Sequence, residues 1–248
     1  MNAVTRTRTI VALGLAASVT AAGCGGAPGG GGDAPSEPSA ATSESRTFSD
    51  PATITNPYLP LSETPRVELR GEDDGAALRV VRALQDETEP FMVDGEQVDA
   101  AVVEDRAYED GELKEIALDY YAQADDGTVY YMGEDVDNYE NGKVANHDGA
   151  FRYGEDTNNL GVAMPADPAP GDEFKFEDVP GVGSEDNTVT TVGDPASVGG
   201  TTYDDVVAVD GYVLPDKEDE TKYYARDIGL IREMGPGSDV QLADEAGA

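Results

Sequence analysis

The chain has 248 residues, and 51 acidic residues against 16 lysines and arginines give it a formal net charge of −35 at pH 7. A surface of this charge repels nucleic acid and anionic lipid, which are therefore excluded as electrostatic partners. The acids are distributed among Val, Ile, Leu and Tyr along the chain, which indicates a folded domain. We interpret the charge as adaptation to concentrated salt, which screens surface charges. Binding of a cation or a cationic ligand is the alternative interpretation.

The N-terminus has the pattern of an export signal with a lipid-attachment site. Arg6 and Arg8 precede an apolar stretch over 10–22, which is too short to span a bilayer but is typical of a signal peptide. The stretch ends in "AAGC", which resembles the lipobox of bacterial lipoproteins, and Cys24 is the single cysteine of the chain. We therefore predict a signal peptide over 1–23, an acyl anchor on Cys24, and localisation at the outer face of the cell membrane.

Composition then divides the mature chain into a tether, a domain and a tail. Residues 24–46 are rich in Gly, Pro, Ser and Ala, which predicts a flexible tether after the acylated cysteine. Apolar patterning continues across 47–236, and we interpret this range as one all-β domain that is large enough to bury its own core. Residues 237–248 are predicted to form a disordered acidic tail.

Three Asx-Gly pairs within the domain predict β-hairpins. They are Asp110-Gly111, Asp126-Gly127 and Asn141-Gly142, and such pairs between apolar segments are a strong hairpin signal. Their spacing allows strands of about 12 residues. The expected fold is mainly β, a single antiparallel meander of long strands that forms a curved sheet or half-barrel. The Pro-rich segment 149–172 is expected to be a long loop that crosses an edge or the mouth of the sheet.

The hairpin "LDYYAQADDGTVYYMGED" carries two tyrosine pairs. If its central Asp-Gly pair is a two-residue turn, strict alternation places Tyr120 and Tyr131 on the core side. Tyr121, Tyr130 and Met132 then lie outside and form a possible binding surface for a ligand or partner. The same rule places three acids on the solvent side: Glu115, Asp119 and Glu134.

Carboxylates around this hairpin are weak candidates for calcium ligands. Asp126, Asp135 and Asp137 lie near its turn and second strand, and Ca²⁺ takes several oxygen ligands. Because no EF-hand pattern is present, the pattern favours solvated carboxylates, and we predict no cofactor.

Signatures of catalysis are absent from the sequence. The one histidine, His147, precedes Asp148, but there is no Gly-x-Ser-x-Gly elbow and no HExxH pair. We therefore assign no catalytic residue and predict that the chain is not an enzyme. A hydrolase that uses two carboxylates is kept as an alternative, since acids are abundant.

Four stretches carry a resemblance to a known family. "NPYLPL", "AYEDGELKEIALDYYAQADDGTVYYMGEDVDNYENGK", "MPADPAPGDEF" and "KYYARDIGLIRE" resemble an uncharacterised family of exported bacterial lipoproteins, whose all-β domain ends in a YYA-x-x-IGL hairpin. At the level of architecture, the meander is similar to the half-barrels of envelope lipid and lipoprotein carriers. The expected function is a membrane-tethered lipoprotein whose β-domain binds an apolar small molecule or an envelope protein. A cation-binding structural surface protein is a further alternative.

Overall fold

The computed structural model of the protein describes residues 46–215 and 217–244. The predicted signal peptide, the predicted anchor Cys24 and nearly all of the predicted tether lie outside the described residues. Within the described ranges the chain is all-β. This part of the chain contains no helix long and apolar enough to cross a membrane.

Fourteen strands form one antiparallel sheet in the described part of the chain, which confirms the predicted meander of long strands. The strands are β1 Arg66–Asp73, β2 Ala76–Val93, β3 Glu96–Glu109, β4 Glu112–Gln123, β5 Val129–Glu140, β6 Lys143–Asn146, β7 Phe151–Arg152, β8 Gly161–Met164, β9 Glu173–Val179, β10 Gly183–Val198, β11 Thr201–Leu214, β12 Glu218–Ala225, β13 Gly229–Gly235 and β14 Ser238–Asp244.

The order of the strands in the sheet follows the sequence with one exception. It runs β6-β5-β4-β3-β2-β1-β14-β13-β12-β11-β10-β9, so β14 pairs with both β1 and β13. The short strands β7 and β8 both pair with β5. β8 also lies against β9, since a Cβ atom on Gly161 would be 1.9 Å from the carbonyl oxygen of Phe176. β8 therefore bridges the two sides of the curved sheet, although the sheet is not closed into a barrel.

Backbone geometry explains most of the hairpins. A two-residue type I′ turn needs positive φ at both central residues, which Asn or Asp followed by Gly tolerates. Four such pairs have positive φ at both residues: Asp74-Gly75, Asp94-Gly95, Asp110-Gly111 and Asn141-Gly142. Asp126-Gly127 is different, because its ladder already ends at Gln123 and Val129 and leaves a longer loop.

The curvature of the sheet brings distant strands together on one face, which we call the inner face. Tyr131 of β5 stacks on Phe176 of β9 with ring centroids 4.4 Å apart, although many strands separate the two in the sheet order. Val103, Val189 and Val207 belong to the same buried cluster. The inner face therefore encloses the main core.

The segment that precedes β1 closes one end of this core, and we call residues 50–65 the N-terminal plug. Ile54 and Tyr58 of the plug are buried in the inner cluster. Asn56 donates hydrogen bonds of 3.0 Å to the carbonyl oxygens of Gly127 and Pro165. The plug thus joins the β4–β5 loop to the Pro-rich crossing segment, in which β7 and β8 are short strands.

The opposite face of β2–β5 is also covered. Phe91, Tyr120 and Met132 form a second buried cluster there, against which Phe48 and Tyr153 pack. These strands are therefore buried on both faces along part of their length, which removes the simple alternation of a half-exposed sheet.

The predicted disordered tail is wrong for the residues that the structure describes. Residues 238–244 form β14, which pairs with β1 on one side and β13 on the other. Val240 is buried there and packs with Leu69. The acidic composition gave no indication of this strand, which lies at the centre of the sheet between β1 and β13.

Candidate functional site: a buried carboxyl cluster

The predicted tyrosine surface does not exist. Tyr121, Tyr130 and Met132 are exposed by only 2%, 9% and 0%, so none of them presents an open binding surface. Tyr121 and Met132 also lie on opposite faces, in the inner and the outer cluster. The prediction that the three share an exposed patch is wrong.

A different register between β4 and β5 is the physical reason. A two-residue turn would pair Ala122 with Tyr131, but the longer loop pairs Tyr121 with Tyr131 and so turns Tyr121 to the inner face.

A β-bulge follows this pair. Tyr120 pairs with Gly133, so Met132 is an extra residue on β5. An inserted residue reverses the side-chain alternation beyond it. Gly133 has φ 124°, and a Cβ atom there would lie 2.2 Å from the carbonyl oxygen of Phe151, so this position requires glycine.

The predicted calcium candidates are engaged with other groups of the chain. Asp126 accepts a hydrogen bond from the backbone N–H of Thr128 at 2.8 Å. Asp135 pairs with Arg152 at 2.8 Å, and Asp137 lies 2.9 Å from Nδ1 of His147. No three His, Cys, Asp or Glu side chains among the described residues are placed to hold a metal ion. The structure therefore does not assemble the three aspartates into a site.

The structure instead gathers eight acidic side chains inside the sheet, each exposed by no more than 9%. We call them the carboxyl cluster: Asp105, Glu115, Asp119, Glu134, Glu177, Glu185, Glu220 and Glu233. They come from β3, β4, β5, β9, β10, β12 and β13, and two buried bases, Arg82 and Lys222, lie among them. Glu115, Asp119 and Glu134 were predicted on the solvent side, and that prediction is wrong.

Arg82 organises one side of the cluster. Its guanidinium donates to both carboxylate oxygens of Asp105, with distances between 2.6 and 3.2 Å. A second carboxylate, Asp119, lies 3.8 Å away and accepts a hydrogen bond of 3.0 Å from the hydroxyl of Tyr131. A planar guanidinium suits such a two-pronged pair, so this side is held in one arrangement.

Lys222 organises the other side. Its Nζ lies 2.8 Å from Oε1 of Glu185 and 2.5 Å from Oε1 of Glu220. The same Nζ is 5.4 Å from the centroid of the Phe176 ring, which is within the range of a cation–π contact. Asn187 donates from Nδ2 to Glu185 at 2.9 Å. One alkylammonium is thus surrounded by carboxylates and an aromatic ring.

Several buried oxygens of the cluster have no hydrogen-bond partner within the described part of the chain. Both carboxyl oxygens of Glu134 and of Glu177 are unpartnered, and so are Oε2 of Glu185, Oδ1 of Asn187 and Oε2 of Glu233. Buried acceptors without a donor are unfavourable and rare. The inner face therefore offers more acceptors than its own donors satisfy.

Burial changes the acidity of these groups. Desolvation, and then the repulsion of neighbouring carboxylates, raises the pKa of Glu115, Asp119 and Glu177 to about 8. Desolvation also raises the pKa of Glu220 to about 8, although Lys222 opposes this shift. For Glu134, burial raises the pKa well above its ordinary value. At neutral pH these carboxyls hold protons, because nearby cations are too few to stabilise all the charges.

Two glycines make room for the cluster. A Cβ atom on Gly211 would lie 2.9 Å from Oδ1 of Asn187 and 2.9 Å from Oε1 of Glu220. A Cβ atom on Gly183 would lie 2.9 Å from Oε1 of Glu177. Any other residue at these positions would push into the acceptor oxygens.

Sequence reasoning had one signal that points to this site. In "EDETKYYA", Glu220, Lys222 and Tyr224 are spaced two residues apart, and all three side chains face inward. A period of two that includes charged residues identifies a face but not its burial. Only the curvature of the sheet makes that face the interior.

Comparison with protein-family models, with curated proteins and with solved structures finds no match to the chain.

Proposed function

We propose that the protein is an exported lipoprotein, anchored by an acyl group on Cys24 at the outer face of the cell membrane, whose β-domain binds a small polar ligand inside the curved sheet. The signal pattern and the Gly- and Pro-rich tether support the location. The unpartnered oxygens of the carboxyl cluster carry the proposal for binding. This surplus of acceptors lies on the enclosed inner face of the sheet and not on the predicted surface of Tyr121, Tyr130 and Met132.

The packing of the inner face favours a polar ligand over an apolar one. At the end closed by the N-terminal plug, Tyr131, Phe151, Met164 and Phe176 are packed together and leave their rings and thioether covered by protein. An apolar molecule would have to displace these contacts. At the other end, the cluster presents acceptors that a ligand with N–H or O–H donors would satisfy.

Native mass spectrometry tests this proposal. The mature protein is extracted from its own membrane in mild detergent and high salt and is then released from the detergent in the instrument. We expect a stoichiometric small molecule in addition to the lipid-modified polypeptide. A polypeptide mass without any bound molecule, together with no binding in solution, would contradict the proposal.

Adaptation to concentrated salt is the second part of the proposal. It is supported by the net charge of −35 and by acids that are spread over the whole domain. Carboxylates that repel one another at low ionic strength are screened at high ionic strength.

A carboxylate-based hydrolase is the alternative that one observation favours. Glu177, with its pKa raised to about 8 by burial and by Glu185, has the acidity of a general acid at neutral pH. Glu177 and Glu185 are, however, exposed by only 2% and 1%, and a polymeric substrate needs an open cleft. If Glu177→Gln leaves every hydrolytic activity of the purified protein unchanged, this alternative is wrong.

A further inference from the structure

The side of the carboxyl cluster around Lys222 has the geometry of a site for a second ammonium group. Four buried carboxyls interact electrostatically with the single ammonium of Lys222: Glu177, Glu185, Glu220 and Glu233. An ammonium has three N–H donors, and this one contacts Glu185 and Glu220. The acceptors left over on this side exceed what Lys222 can satisfy.

A buried amide oxygen beside Glu185 is an independent unpartnered acceptor on this side of the cluster. Asn187 is exposed by 4%, and its Oδ1 has no hydrogen-bond partner. This oxygen and Oε1 of Glu220 lie at equal distance, 2.9 Å, from the position where a Cβ atom on Gly211 would be. An amide oxygen does not bind a proton at neutral pH, so it needs an N–H or O–H donor from a neighbouring group or from a ligand.

The spacing of the acceptors favours an ammonium over a metal ion. A Ca²⁺ or Mg²⁺ ion needs several oxygens at about 2.0 to 2.6 Å, and within the described residues no set of acidic or histidine side chains is placed to hold one. An N–H donor reaches acceptors at about 2.7 to 3.2 Å, which suits oxygens spread over β9, β10 and β12. Lys222, with Phe176 beside it, already shows that this interior holds an alkylammonium.

The site lies near the end of β9, close to the protein surface. Glu177 is two residues from the end of β9, and its Oε1 lies 2.9 Å from the Cβ position of Gly183, the first residue of β10. The turn between these strands, at Pro180 and Gly181, is exposed. The unpartnered oxygens of Glu177 therefore lie close to the exposed turn between β9 and β10.

We propose that the ligand of this domain is a primary amine, whose ammonium group donates to Glu177 and to Oε2 of Glu185, the residue paired with Glu177 across β9 and β10, beside the ammonium of Lys222. This inference rests on the proposed binding function and adds the chemical class of the ligand. A guest ammonium would supply donors to the unpartnered oxygens in place of the protons that these carboxyls otherwise hold.

Calorimetry and thermal unfolding of the full chain, at constant ionic strength, test the inference with three probes. Methylammonium and 1,4-diaminobutane carry N–H donors, whereas tetramethylammonium has the same charge and no N–H donor. We expect one equivalent of either primary amine to bind and to raise the melting temperature, and tetramethylammonium to have no comparable effect. Equal effects of all three ions would mean that the acidic surface attracts any cation without a specific site, and would overturn the inference.

A variant pair tests the position of the site. Glu177→Gln keeps the shape of the side chain but replaces an acceptor oxygen by a donor, and we expect it to weaken methylammonium binding at least about tenfold. Glu112→Gln removes a carboxylate whose side chain is 78% exposed, and we expect it to leave binding unchanged. Equal affinities of the wild type and Glu177→Gln would overturn the proposed site.

The two proposals fail in different ways. If native mass spectrometry finds a neutral, anionic or metal ligand and no primary amine binds, the inference is wrong and the binding function stands. If the isolated protein carries nothing and neither the amines nor Ca²⁺ bind in solution, both are wrong.

Discussion

The two ends of the inner face are built on the same strands but solve burial differently. Toward the N-terminal plug, β3, β4 and β10 contribute Val103, Tyr121 and Val189 to an apolar core. Further along, the same strands contribute Asp105, Asp119 and Glu185 to the carboxyl cluster. The apolar end needs only shape to be stable. The charged end needs partners for every group, and its stability therefore depends on pH, bases and ligands.

Removing the base of the Arg82 side should cause the largest loss. Arg82→Ala leaves Asp105 buried without its partner, and we expect the free energy of unfolding at pH 7 to fall by about 3 to 5 kcal/mol. Urea unfolding measures this. Arg70→Ala, at a side chain 64% exposed, is the control and should change stability by less than about 1 kcal/mol.

A double variant sharpens the same comparison. Arg82→Met with Asp105→Leu replaces the ion pair by apolar side chains, and we expect it to recover most of the loss, since such replacements are often neutral. A double variant as unstable as Arg82→Ala would show that the charges themselves hold this end together.

The apolar end should respond to cavities in the ordinary way. Ile54→Ala empties space in the N-terminal plug, and we expect it to reduce the free energy of unfolding by about 3 kcal/mol, against about 1 kcal/mol for Ile54→Val. Urea unfolding at pH 5 and at pH 8 should give the same difference for Ile54→Ala, because no carboxyl of the cluster is changed. A difference that varies with pH would mean that the two ends are coupled.

The carboxyl cluster should make stability fall as the pH rises. A carboxyl whose pKa is raised to about 8 in the folded state stabilises the fold fully below its unfolded pKa, near 4.3, and this contribution is lost as the pH rises to about 8. Glu177→Gln removes one such group. Between about pH 5 and pH 8, the free energy of unfolding of the wild type should therefore fall more steeply than that of Glu177→Gln, by about 1.4 kcal/mol per pH unit.

The control for this prediction is Glu112→Gln, at an exposed side chain, whose pH profile should follow that of the wild type. Parallel profiles for the wild type and Glu177→Gln would show that Glu177 does not titrate in this range in the folded protein.

The response to salt should distinguish exposed carboxylates from buried ion pairs, and its effect on stability per charged group should be the smallest of these predictions. Between about 0.1 M and about 1 M salt the Debye length shrinks from about 10 Å to about 3 Å. We expect the melting temperature to rise strongly through the sum of many exposed carboxylates, each contributing less than about 1 kcal/mol. The loss caused by Arg82→Ala should be nearly the same at both salt concentrations, because buried pairs are screened less. A melting temperature that does not change with salt would contradict the proposed salt adaptation.

Part of the hairpin pattern could be predicted because turn chemistry is local. Asp110-Gly111 and Asn141-Gly142 have the positive φ angles that these residue types tolerate, and both connect long antiparallel strands. The loop at Asp126 and the bulge at Met132 were missed. Each depends on β7, β8 and the N-terminal plug packing against β5, and these contacts are distant in sequence.

The candidate site could likewise be predicted from the sequence only in part. The sequence by itself determined the mainly β class, the meander, most of the turns and the placement of Glu115, Ala117 and Asp119 on one face of β4, since these follow from backbone preferences over a few residues. Only the tertiary structure decided that this face points inward. The sheet curls until Tyr131 meets Phe176, and that curvature turns a row of acids from solvent-facing residues into a buried cluster.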